Sequence, residues 1–110
     1  MRRFALMIAL CAGAAGADPW DVLDGPGIVQ ALTGRTIAFE NATQDFRASG
    51  RTLYVFGGRD SWGYWRIEGD RYCSQWPPSD LWACYDVALS GGNVRFVGPS
   101  GDVSDGVYAD

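Results

Sequence analysis

Residues 62–85, WGYWRIEGDRYCSQWPPSDLWACY, constrain this chain more than any other stretch. They carry four of the five tryptophans, three of the five tyrosines and two of the three cysteines. Within them Gly69-Asp70 is a two-residue turn signal between two runs of β-forming residues, 63–68 and 71–74. A two-residue loop fixes the register, setting Glu68 opposite Arg71, Ile67 opposite Tyr72 and Arg66 opposite Cys73. Side chains alternate faces along a strand, so Trp65, Ile67 and Tyr72 share one face. A second hairpin is signalled by Gly91-Gly92, which joins 83–90 to 93–97 and pairs Leu89 with Val94, Ala88 with Arg95 and Val87 with Phe96. Its apolar face is Tyr85, Val87, Leu89, Val94 and Phe96. The same parity sets Cys73 beside Arg66 and Cys84 beside Asp86, Ala88 and Arg95. Both cysteines therefore point away from the apolar faces. A disulfide between them needs the two strands side by side, with Cα atoms within about 7 Å and the sulfurs meeting on the outer surface.

The amino terminus says which compartment the cysteines meet. Arg2 and Arg3 precede an apolar run over 4–16, and Ala15-Gly16-Ala17 is an A-x-A cleavage site. This pattern predicts a signal peptide over 1–17, cut after Ala17, and a mature chain in the periplasm or outside the cell. The apolar core of roughly a dozen residues is shorter than the ~20 a membrane span needs, so no membrane span is expected in the mature chain. Cys11 offers a lipid-anchor alternative, which Leu10 disfavours because a small residue normally precedes a lipidated cysteine. Cleavage leaves Cys73 and Cys84 in an oxidising compartment with a single possible pairing. The bridge closes a loop of about a dozen residues, which in the chain-entropy treatment contributes roughly 3 kcal/mol. That is a large share of the net stability of so small a domain.

Charge removes several function classes. Cleavage takes Arg2 and Arg3 and leaves seven arginines against thirteen acidic residues, a net charge of −6. An acidic chain is a poor ligand for nucleic acid or for anionic membrane surfaces. The chain has no histidine and no lysine. It lacks the commonest general base, the usual partner of a nucleophile and the commonest metal ligand. Ser61, Ser74 and Ser79 have no histidine to activate them, and two cysteines fall short of a zinc site. No metal or cofactor is expected.

Residues 18–27, rich in Pro, Gly and Asp, predict a flexible or loosely docked leader to a single β-domain over 28–110. A short helix follows over 26–34, with Asp24 as N-cap, Pro26 in the first turn and Gly34 at the C-cap. Ile28, Ala31 and Leu32 form its apolar face, and two turns need a sheet to lie on. From Thr36 the pattern becomes short β-runs: 36–39, a weak one around Phe46, the strong run 52–56, the two hairpins above, and 106–108 as a closing edge strand or a frayed end. About seven short strands with glycine-rich turns make a small antiparallel barrel or sandwich.

Trp62, Tyr64, Trp76 and Trp82 form the candidate binding surface. They do not all fit in a core that already takes Trp65, Phe39, Val55, Phe56 and Phe96. Exposed rings beside Pro77-Pro78 stack on sugars or on a partner's side chains. The alternative is that Trp76 and Trp82 fold over the disulfide and cover one end of the barrel. Among the carboxylates, Glu68, Asp70, Asp80 and Asp86 are the candidates for a hydrolytic pair, which would have to face each other at about 5–10 Å across a cleft. Residues 102–106 have acidic residues without the ligand ladder of a calcium loop and read as a solvated turn. Gly57-Gly58 and Gly91-Gly92 read as turns.

The runs Leu32-Thr33-Gly34-Arg35-Thr36-Ile37, Gly63-Tyr64-Trp65-Arg66-Ile67, Tyr72-Cys73-Ser74-Gln75-Trp76 and Cys84-Tyr85-Asp86-Val87 resemble a loose group of small exported alphaproteobacterial proteins. Their pattern is L-T-G-x-T, G-x-W-x-[IV], [YL]-C-x-x-W and C-Y-x-[VI], and the resemblance spans about residues 27–97. It implies export, the β fold class and the disulfide, and it brings no activity. The expectation is a monomeric, non-enzymatic periplasmic domain that binds an envelope component, either a glycan or another exported protein. The alternatives are a carboxylate-based hydrolase and, by likeness of fold alone to periplasmic lysozyme inhibitors, an inhibitor of a basic enzyme.

Overall fold

The computed structural model describes residues 19–110, so the expected signal peptide and Cys11 lie outside the described residues. Strand β1 (Asp21–Val22) leads into helix α1 (Gly25–Leu32). Eight strands follow: β2 (Thr36–Ala38), β3 (Ala42–Phe46), β4 (Arg51–Phe56), β5 (Arg59–Glu68), β6 (Arg71–Gln75), β7 (Trp82–Ser90), β8 (Asn93–Val97) and β9 (Val103–Tyr108). Each pairs antiparallel with the next, and β9 returns to pair with β2. The eight close an up-and-down barrel, which leaves no free edge among them. Strand β1 adds to the outside of the circuit. It pairs with Ala88 and Leu89 of β7, beyond the point where β6 stops following that strand.

Both hairpin registers read from the turns are present. Glu68 faces Arg71, Ile67 faces Tyr72 and Arg66 faces Cys73, while Leu89 faces Val94 and Val87 faces Phe96. Cys73 lies directly opposite Cys84 across β6 and β7, with Cα atoms 4.0 Å apart, and the two are bridged. The outward parity of both cysteines also holds.

Helix α1 starts where predicted for a chemical reason. The Asp24 side chain accepts a hydrogen bond from Gly27 N, Pro26 fills the first turn, and Gly34 takes a positive φ of 75° just past the C-cap Thr33. Ile28, Ala31 and Leu32 are buried, and α1 packs on β5 and β6. The Gly25 amide donates to Asp70 Oδ1 at 2.8 Å in the β5–β6 turn. A Cβ on Gly25 would stand 2.5 Å from the Gly69 carbonyl oxygen. The helix is thus seated across one end of the barrel.

Two expectations need revision. Residues 18–27, expected as a loosely docked leader, carry β1 and the first turn of α1. Backbone pairing to β7, including Leu23 N to Val87 O at 2.9 Å, holds them. Residues 102–106, expected as a solvated turn, enter strand β9 from Val103, and of the two readings of the carboxy-terminal run, closing strand or frayed end, the first holds. The Tyr108 hydroxyl donates to the Ala31 carbonyl, and the Asp110 carboxylate receives the Thr36 amide and the Arg35 guanidinium. Asp110 is held below the usual carboxylate range, first by that backbone bond and then by Arg35.

The core gathers under the helix. Phe46 is fully buried at its centre. Trp65 and Tyr72 meet it edge-on at 5.7 and 5.6 Å, and Phe96 stacks on it at 6.2 Å. The Trp65 indole donates to the Arg47 carbonyl, pinning the β3–β4 turn to the same cluster.

Candidate functional site at the open end of the barrel

An antiparallel meander sends alternate turns to opposite ends. The 47–50, 69–70 and 91–92 turns lie at the helix end. Connections 39–41, 57–58, 76–81 and 98–102 frame the other end, and no element crosses it. There the barrel opens into a cavity of about 940 Å³. Eight-stranded barrels are just wide enough to be filled by side chains or to hold one small ligand, and this one does the first at one end and leaves room for the second at the other.

The wall of the cavity follows from strand parity. Gln44 faces Tyr54, Ser61 stands opposite Tyr54 on the other side, and Tyr72 faces Tyr85. These inward positions line the hollow together with Phe39, Ser74, Trp76 and Phe96. Trp76 sits over Gly63, where a Cβ would lie 2.6 Å from the indole and 2.6 Å from the Gln75 carbonyl oxygen. Only a glycine lets the ring lie so close to β5. Trp76 then meets Tyr54 edge-on at 6.0 Å.

The floor is a hydrogen-bonded chain of buried polar side chains, as such groups require. Thr52 Oγ1 donates to the Asp45 carbonyl at 2.6 Å. Gln44 Nε2 donates to Thr52 Oγ1 and to the Tyr72 hydroxyl, each at 3.0 Å. Trp76 Nε1 donates to Ser74 Oγ at 3.1 Å, and Ser74 also partners the Tyr72 hydroxyl. Burial pushes the Tyr72 phenol up to about 12 against the opposing effect of these bonds. It is a neutral hydroxyl at any physiological pH.

The rim is acidic. Glu40, Asp60 and Asp105 line the mouth, and no arginine does. Asp105 is neutralised by a two-pronged pair with Arg95, at 2.8 and 2.9 Å, which holds its carboxyl below the usual range. Glu40 and Asp60 have no salt bridge among the described residues.

The structure separates the four aromatic residues singled out in the sequence. Trp76 is in the cavity, and Trp62 also contributes to its lining at the mouth. Trp62 and Tyr64, 39% and 43% exposed, lie on the outer face of β5. Arg47 and Arg51 each stack on Trp62 at 4.7 Å, and Arg51 also reaches Tyr64. Trp82 lies on the outer face of β7 under Arg66, 3.8 Å from its guanidinium. The four candidate carboxylates serve elsewhere. Glu68 pairs with Arg66, Asp86 with Arg71, Asp70 with the start of α1, and none of these or Asp80 lines the cavity. Glu68 also lies near Cys73 and Cys84, but sulfurs bonded to each other have no thiolate to offer a metal.

Sequence reasoning missed Gln44, Tyr54, Tyr72, Ser74 and Tyr85 as a group. The available signal was an inward-facing polar residue, Gln44, at the centre of β3 between Ala42 and Phe46. Comparison with protein families, with curated proteins and with solved structures finds no match to the chain.

Proposed function

We propose that this protein is an exported, non-enzymatic binding domain whose ligand seats in the open end of the barrel. The observation that carries this reading is the asymmetry of the barrel. One end is filled by α1, and the other is a hollow of about 940 Å³ walled by Phe39, Tyr54, Tyr72, Trp76, Tyr85 and Phe96. Concave, mainly aromatic sites with a few converging polar groups are the usual form of a small-molecule site. Export to the periplasm rests on the A-x-A signal pattern, and the Cys73–Cys84 bridge is in keeping with an oxidising compartment.

The test is retention. The mature domain is incubated with periplasmic small-molecule extract, repurified and analysed by native mass spectrometry beside a Tyr54→Ala/Trp76→Ala variant of verified fold. A bound species on the wild type and not on the variant is expected. An empty wild-type barrel, or equal retention by both, overturns the reading.

A second reading places an exported protein against the outer face, where Trp62 and Tyr64 lie exposed beside Arg51. A Tyr64→Ala variant, which leaves the cavity lining untouched, separates the two. It would lose a protein partner and keep a cavity ligand.

A further inference from the structure

The hydrogen-bond directions at the cavity floor specify what chemistry a ligand must present. Thr52 Oγ1 spends its only proton on the Asp45 carbonyl, so toward Gln44 it can only accept. That fixes the Gln44 amide nitrogen toward Thr52 and Tyr72. Gln44 Oε1 is left with no hydrogen-bond partner among the described residues, although the side chain is 93% buried, being 7% exposed. An indole N–H can only donate, so Ser74 Oγ accepts from Trp76. The Tyr72 hydroxyl oxygen accepts from Gln44, and the Ser74 bond lowers its pKa, the sense of a bond donated to that oxygen. Ser74 Oγ accepts from Trp76 and gives its own proton to Tyr72, and the Tyr72 proton has no acceptor among the described residues. Gln44 and Tyr72 both line the cavity and are joined to each other by the Gln44 Nε2 bond. The floor therefore shows a ligand one buried acceptor and one buried donor. Leaving either unmet is costly, which makes the pair selective.

The walls and rim add two conditions. Edge-on pairs Tyr54–Trp76 and Tyr72–Phe96 and the tilted pair Tyr72–Tyr85 present aromatic surface around the hollow, which suits a flat ring. Glu40 and Asp60 at the mouth, with no lining arginine, repel anions.

From this arrangement we infer that the cavity takes a flat, uncharged or cationic heteroaromatic ligand with an adjacent N–H donor and C=O acceptor on one edge, as in a lactam. The N–H is received by Gln44 Oε1 and the carbonyl by the Tyr72 hydroxyl. The inference rests on the proposed binding function and refines it to a ligand class.

The test uses matched probes on the mature domain, read by quenching of tryptophan fluorescence and by calorimetry. 2-Quinolinone carries the full edge, 1-methyl-2-quinolinone lacks the donor, naphthalene lacks both groups, and 2-naphthoate adds a negative charge. We expect 2-quinolinone to bind about tenfold more tightly than its N-methyl analogue or naphthalene, with 2-naphthoate weakest. Tyr72→Phe and Gln44→Leu should each erase the preference for 2-quinolinone over naphthalene while naphthalene binding persists. Persistent naphthalene binding also shows that the variants have kept the cavity. Equal binding of 2-quinolinone and naphthalene to the wild type would overturn the lactam assignment and leave the aromatic seat standing. Tighter binding of 2-naphthoate than of 2-quinolinone would overturn it as well. Binding of none of the four would count against the small-ligand reading itself.

Discussion

The two ends of this barrel are built from the same eight strands and have opposite fates. At the helix end Ile28, Leu32, Ile37, Phe46, Val87 and Val94 are wholly removed from water. Two turns of helix suffice there because the Asp24 cap and the Asp70–Gly25 bond hold its start. At the mouth the inward positions carry Gln44, Tyr54, Ser74 and Tyr85, which offer hydrogen bonds as well as apolar area. The first set gains most by excluding water. The second stands beside a hollow, with Gln44 and Ser74 bonded to Thr52, Tyr72 and Trp76 and with polar atoms left over to meet a ligand. The lesson is that stability and binding capacity are divided along the barrel axis and can be altered separately.

The largest expected effect tests that division directly. Phe46→Ala removes the ring on which Trp65, Tyr72 and Phe96 converge, and should cost about 3–5 kcal/mol by denaturant unfolding. Tyr54→Ala at the mouth should cost only about 1 kcal/mol, since its side chain is only partly buried and borders the hollow. Similar losses at the two sites would break the comparison. Next comes the bridge. Replacing Cys73 and Cys84 with serine should lower stability by about 3 kcal/mol and leave ligand binding at the mouth intact once folded, because both sulfurs face outward. Asp24→Ala should cost about 1 kcal/mol through the lost cap. Asp24→Asn should restore most of it, which identifies the hydrogen bond as the cause.

The smallest effect concerns pH. The Tyr72 phenol is raised from its ordinary value of 10 to about 12 in the folded protein. A raised acid favours the folded state fully below its unfolded value. Its contribution should fall as pH rises from about 10 to about 12, where the unfolded phenol has already lost its proton. Ultraviolet titration at the phenolate band checks this. Tyr72→Phe should remove the slowest-titrating tyrosine and flatten that alkaline loss.

What was legible in the sequence was local. Gly69-Asp70 and Gly91-Gly92 set two hairpin registers, because a two-residue turn leaves the strands one way to pair. From those registers strand parity placed Cys73 and Cys84 on the outer face. The cap residues Asp24 and Gly34 bracketed α1 because their chemistry acts over three or four residues. Phe46 illustrates the limit. Its strand, ATQDF, is short and polar, and nothing within it says that its ring becomes the centre of the core.

What the tertiary structure decided is long-range. Pairing of β9 with β2 joins residues some seventy apart, and no turn signal reaches that far. Closure turned about seven expected strands of a barrel or sandwich into an eight-stranded circuit with β1 added outside. It also sorted the aromatic residues, sending Trp76 over Gly63 into the hollow, leaving Tyr64 and Trp82 outside with arginines, and setting Trp62 between arginines and the mouth. The physical reason is that register and parity are set by neighbouring residues, whereas inside and outside exist only once the sheet has closed.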